Sequence, residues 1–155
     1  LKRTAGGIRA APRKRRLGLS IQGAATFALV PSRATLRRWT LLALERDAVI
    51  VLRFVGMKEG RRLNREFRGQ DHATNVLTFD YMETPVRADI VICVPVVRAE
   101  ARAHGKLFRH HLVHLMIHGL LHAQGHDHVS PRQAQRMEAR ERKLLARLHV
   151  ADPYA

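Results

Sequence analysis

Three histidines within eleven residues, His118, His122 and His128, constrain the fold of this chain more than any other feature. His118 and His122 stand four apart. On an α-helix that spacing puts two side chains on one face about one turn apart, so both imidazoles reach a single ion. The helix must then stop. Gly125 supplies a residue that enters the left-handed conformation without a Cβ penalty, and the chain can fold back to present His128 from another direction. Three protein ligands with one open position is the arrangement of a catalytic zinc site, whereas structural zinc sites close all four positions. Ligand type alone also admits nickel, copper or iron.

The same helix, read over Leu107–Ala123, carries further histidines. His110, His114, His118 and His122 form a ladder four residues apart, with His111 and His126 close by. A histidine on an apolar helix face is ordinarily a satisfied core residue, so His110, His111 and His114 are expected to pack rather than to ligate. The position after the first ligand also decides something. Zinc proteases built on H-E-x-x-H place their general base there; this chain has Gly119. Asp127 is the only carboxylate in the window. Two roles are open to it, orienting a ligand imidazole from behind or capping the turn.

The remaining elements follow from patterning. Leu17–Gly23 reads as a first strand. Pro31-Ser32 opens a helix whose apolar stripe is Leu36, Trp39, Leu42 and Ala43. Ala48–Val55 (AVIVLRFV) is β-branched and bounded by Asp47 and Gly56, the clearest strand in the sequence. Met57–Phe67 reads as a helix with Leu63 and Phe67 on its apolar face, ending near Gly69. Thr74–Phe79 and Asp89–Cys93 read as the third and fourth strands. Pro95 suits the first turn of a helix that runs to about His104 and stops at Gly105. After the histidine helix, Ser130 is an N-cap and Pro131 the first helical residue of a last, charged helix to about Leu148. No internal repeat interrupts this order. It predicts a single α+β (mixed α/β) domain over residues 17–155, a small four-stranded sheet packed with about five helices.

Charge bears on the partner. The chain has 28 Lys and Arg against 13 Asp and Glu, a formal +15. Seven of the cations fall in the first sixteen residues, among them Arg13, Lys14, Arg15 and Arg16, and 21 against 13 remain without them. Residues 1–16 are expected to form a flexible basic arm, with Arg13 to Arg16 as RNA-binding candidates. An excess of this size calls for a polyanionic partner, of which nucleic acid is the usual one. Membrane binding is not expected, since no long amphipathic basic helix is evident. The single cysteine, Cys93, excludes an internal disulfide and a multi-cysteine metal site. No apolar run approaches the roughly 18 residues of a membrane span, and Leu17–Val30 makes a poor signal-peptide core, so the chain is read as cytoplasmic.

With these residues set out, a resemblance emerges. His118 to His128 resembles the H-G-x-L-H-x-x-G-x-D-H signature of the YbeY endoribonuclease family, the bacterial rRNA maturation factors. Leu63 to Asp71 (LNREFRGQD) followed by Ala73 to Phe79 (ATNVLTF) is similar to that family's second block. Ala88-Asp89-Ile90 is similar to its G-D-I strand in all but the glycine. His126 stands where members commonly carry Tyr, which puts a further ring, a fourth ligand or a proton carrier, near the site. The resemblance implies a single-strand-specific, metal-dependent endoribonuclease acting in 16S rRNA 3′-end maturation and ribosome quality control. It implies one zinc per chain on His118, His122 and His128, a functional Arg68, and partners in ribosomal RNA and the small ribosomal subunit. A ribosomal protein or GTPase partner also fits it, and DNA is not expected. Two other functions compete: a metal-dependent hydrolase of peptides or amides, and a non-catalytic assembly factor in which Arg68 only grips RNA.

Overall fold

The computed structural model describes residues 14–155. Of the arm expected over residues 1–16, positions 1–13, Arg13 among them, lie outside the described residues. Lys14 and Arg15 are exposed. Arg16 is exposed too, but its backbone is tied down. Its N–H donates to Asp47 Oδ1 at 2.8 Å and its carbonyl accepts from Ala48 N–H at 3.0 Å.

Among the described residues four strands form one sheet: β1 (Leu17–Gln22), β2 (Ala48–Val55), β3 (Val76–Asp80) and β4 (Val86–Cys93). Their spatial order is β1-β2-β4-β3, with β1, β2 and β4 parallel and β3 antiparallel to β4 at the edge. Among the described residues five α-helices accompany the sheet: α1 (Arg33–Ala43), α2 (Met57–Arg68), α3 (Val94–Ala103), α4 (Phe108–Ala123) and α5 (Pro131–Arg147). The mixed α/β architecture expected from the sequence is the one observed.

Period-two alternation sorts the strand residues between two layers. Ala48, Ile50, Leu52 and Phe54 of β2, and Val86, Ala88, Ile90 and Ile92 of β4, join the main core with α1, α4 and α5. Val55, Val91 and Cys93 point the other way, into a smaller cluster with Leu63 of α2 and Leu77 of β3. The connections β1–α1–β2 and β2–α2–β3–β4 advance in the same direction across parallel strands yet cover opposite faces, so they have opposite hands. One of them departs from the right-handed norm for such crossovers.

α4 is the central element. It contacts β3 and β4 below and α1, α3 and α5 around it, and its buried side chains include Leu112, Val113, Leu115, Met116, Ile117, Leu120 and Leu121. A helix apolar on nearly every side must be enclosed, and its histidines therefore occupy the one side left for polar groups.

Two apolar positions differ from the sequence reading. Phe67 is 58% exposed and does not share a buried face with Leu63. α2 instead buries Gly60, Leu63 and Asn64, while Phe67 sits edge-on to Phe79 with ring centroids 5.2 Å apart. In α1 the buried stripe is Leu36, Trp39, Thr40 and Ala43, with Leu42 half-buried; Thr40 Oγ1 satisfies itself on the Leu36 carbonyl at 2.8 Å. Among the described residues no helix is long and apolar enough to cross a membrane.

Candidate metal centre

α4 ends as its sequence requires. Gly125 adopts φ 96°. Its N–H donates to the His122 carbonyl at 3.0 Å, and the His126 N–H reaches back to the Leu121 carbonyl at 3.0 Å. This pair of bonds is a Schellman closure, which satisfies carbonyls the last helical turn would leave open. Gln124 pins the turn to the end of α1, its Nε2 donating to the Ala43 carbonyl at 2.9 Å and its Oε1 accepting from the Glu45 N–H at 2.6 Å. The returning chain then brings His128 over the helix.

One ring nitrogen from each of His118, His122 and His128 lies within 4.8 Å of the other two. Ring centroids are 4.6 Å apart for His118–His122, 4.7 Å for His122–His128 and 5.5 Å for His118–His128. Burial, and then the neighbouring His118 and His128, hold His122 below the usual histidine range, which favours the neutral ring that a metal needs. The donor set therefore fits a borderline divalent ion such as zinc.

The group behind His118 is Glu141 of α5. It is fully buried, and its Oε1 accepts from His118 Nδ1 at 2.6 Å. A carboxylate has no proton to give, so Nδ1 carries the hydrogen and Nε2 keeps its lone pair for the centre. Glu141 Oε2 accepts from His114 Nε2 at 3.2 Å and from the Tyr154 hydroxyl. Burial by itself would raise the Glu141 pKa; the bonds from His114, His118 and Tyr154 outweigh it and hold the carboxylate at about 2. Burial first, and the carboxylate next, push the Tyr154 hydroxyl up.

Asp127, the sequence candidate for this orienting role, is exposed, and its Oδ1 accepts from the His128 backbone N–H at 2.7 Å. Sequence reasoning missed Glu141 because it sits in a run of charge, Arg140-Glu141-Arg142-Lys143, which reads as a solvated face. A signal was nonetheless present: Met137, Glu141 and Leu144 are spaced four and three apart, on the buried stripe of α5.

The other histidines sort cleanly. His126 is not part of the converging trio; its Nε2 engages Glu45 Oε1 at 2.8 Å. His111 is buried and bonds Glu100 at 3.2 Å, and His114 meets Glu141 and Tyr154. Arg68 ends α2 at the edge strand. Its Nη2 donates to the Thr78 carbonyl at 3.0 Å and its guanidinium carbon lies 5.7 Å from the Phe79 ring centroid. Thr78 in turn abuts Gly119, the neighbour of His118: a Cβ at Gly119 would lie 3.0 Å from Thr78 Oγ1. Arg68 is thus linked to the histidine helix through Thr78.

A cluster of three histidines at the end of an enclosed helix, carried on a four-stranded mixed sheet, defines an α/β protein with a candidate metal site. Comparison with known proteins narrows this. The family profile described as Endoribonuclease YbeY matches residues 32–149. An Endoribonuclease YbeY of Aromatoleum aromaticum is 50% identical over 144 residues, covering 90% of this chain and 94% of that protein. One from an Acidovorax species is 53% identical over 146 residues, covering 90% and 96%. The solution structure of a Thermotoga maritima protein superposes with a TM-score of 0.56 at 25% identity, over 87% of this chain and 97% of that one. The chain belongs to the YbeY endoribonuclease family.

Proposed function

We propose that this protein is a zinc-dependent endoribonuclease that cuts single-stranded RNA, with 16S rRNA 3′-end maturation and ribosome quality control as its setting. The observation that carries the reading is the convergence of His118, His122 and His128 from a helix end and its return loop, with ring nitrogens within 4.8 Å. These three would hold one metal ion. Such an ion supplies Lewis acidity toward a phosphate oxygen or a lowered pKa for a bound water.

The chain's own residues do the rest. Glu141 keeps the Nε2 of His118 facing the centre. Arg68 is read as the phosphate holder. One of its N–H groups anchors it to the Thr78 carbonyl, and a guanidinium carries five donors, so others stay available for a bidentate grip on phosphate. Held there, its charge offsets the negative charge that grows on the phosphoryl oxygens during cleavage. The formal +15 supports a polyanionic substrate. The small ribosomal subunit is proposed as partner from the family resemblance, and a ribosomal protein or GTPase partner and a cytoplasmic setting are proposed with it. Peptide hydrolysis is disfavoured by packing as well as by residue type, because the site of the protease glutamate is Gly119, whose Cβ position Thr78 already crowds.

Cleavage of a single-stranded RNA by metal-replete protein, set beside a His118→Ala/His122→Ala double variant, tests the reading. Loss of cleavage in a folded double variant supports it. Equal cleavage by both proteins overturns it.

A further inference from the structure

The second set of contacts around Glu141 reaches beyond the three histidines. We propose that Glu141, locked in place by Tyr154, is a positioning residue that fixes the tautomer of His118 and thereby sets the metal affinity of the site. The proposal rests on the metal-binding reading above and extends it to the C-terminal segment.

Glu141 is fully buried, and no Lys or Arg side chain pairs with it among the described residues. A buried carboxylate persists only where hydrogen bonds compensate its lost hydration. Three donors do so, and they divide the work between its two oxygens. His118 Nδ1 takes Oε1 alone, while His114 Nε2 and the Tyr154 hydroxyl both hold Oε2. With Oε2 doubly held, the carboxylate plane cannot turn, and Oε1 faces His118.

Tyr154 is itself clamped. Its backbone N–H donates to Asp152 Oδ1 at 2.8 Å, and its ring lies edge-on to His114 at 5.6 Å. Arg142 stacks over that ring at 5.3 Å and pairs with Asp152 at 2.9 Å. The C-terminal segment is therefore built against α4 and α5 with its hydroxyl aimed at Glu141. Three neutral imidazoles bring no charge to a divalent cation. A carboxylate one ring away raises the basicity of the ligating nitrogen and holds the ring in its binding orientation.

The test uses the full chain and zinc alone. Zinc affinity is measured by competition with a chromogenic chelator, and the His118 tautomer by long-range proton–nitrogen NMR on the metal-free protein. Wild type is expected to show a single Nδ1–H form. Glu141→Gln keeps the volume but lets an amide present either oxygen or nitrogen to His118. It is expected to show mixed tautomers and to bind zinc about 10- to 100-fold more weakly. Tyr154→Phe removes one of the two donors on Oε2 but leaves the carboxylate behind His118, and is expected to lose less, about threefold in zinc affinity.

A purely structural role would lower the melting temperature of the variants without changing tautomer or affinity, and that result overturns the proposal. Should Glu141→Gln unfold, Tyr154→Phe decides by the same two readouts, and wild-type affinity in it overturns the proposal. Wild-type protein that takes up no zinc would sink the metal reading and the proposal together. Wild type and variants that bind zinc equally would sink the proposal alone.

Discussion

Gly119→Ala isolates the packing that sets the histidine helix against the sheet. Gly119 lies inside α4, where exchanging Gly for Ala ordinarily gains about 1 kcal/mol of helix propensity. The added methyl has nowhere to go. Its carbon would stand 3.0 Å from Thr78 Oγ1 and 3.5 Å from Ile90 Cγ2. Neither neighbour yields easily, since both are β-branched and stiff at χ1, Ile90 is fully buried, and the Thr78 carbonyl is held by Arg68. Overpacking of this kind costs about 1–3 kcal/mol. The balance is a net loss of about 1 kcal/mol, read as a lower urea midpoint with an unchanged slope. The control is a double-mutant cycle. Thr78→Ala removes the crowding oxygen, so Gly119→Ala made on that background should turn from destabilising to stabilising by about 0.5–1 kcal/mol. If Gly119→Ala alone stabilises the wild-type protein, the argument that glycine is there for close approach fails.

Other expectations follow from the same contacts. Arg68→Ala should keep metal and fold but lose most RNA cleavage, and Arg68→Lys should recover little, because a point charge does not reproduce the planar fork; normal single-turnover cleavage by the Ala variant would remove Arg68 from the chemistry. His126→Ala should retain zinc in elemental analysis, since its ring is engaged with Glu45, and so should His110→Ala. Replacing all seven cations of residues 1–16 by Ala preserves the Arg16 backbone bonds. It should flatten the salt dependence of RNA binding by roughly 0.7 per lost phosphate contact on a single strand, with the cleavage rate at saturating RNA little changed. An unchanged slope would mean the arm does not touch RNA.

Much of this protein is legible locally, and what is not legible depends on distant pairing. The order of elements could be read because each carries its own signals: the β-branched run Ala48–Val55, the Ser130-Pro131 start of α5 and the Gly125 stop of α4. The capping box that Ser130 makes with Gln133 completes one of those signals. The convergence of His118, His122 and His128 was legible for the same reason, since helix pair, glycine break and returning histidine sit together in sequence. The strand order β1-β2-β4-β3 was not, because it depends on which runs meet across tens of residues. β4 starts at Val86, three residues before the sequence reading, because Val86, Arg87 and Ala88 take their strand character from pairing with Ala48 to Ile50 on β2. Phe67 looked like core because it lies four residues from Leu63, but α2 ends over the sheet edge, where Phe67 stays largely exposed and meets Phe79 edge-on. Glu141 and Tyr154 join the site through the packing of α5 and the C-terminal segment on α4, a tertiary fact with only the α5 stripe to announce it.

The central claim, that the trio His118, His122 and His128 holds the metal on which RNA cleavage depends, is tested most directly by a zinc titration of stripped protein. Single-turnover cleavage of a single-stranded RNA would be followed as zinc is returned in known steps. Cleavage should be absent in the stripped protein, rise linearly and level off at one zinc per chain, and His122→Ala should stay inactive across the same range. Full cleavage by the stripped protein, or by His122→Ala, would contradict it.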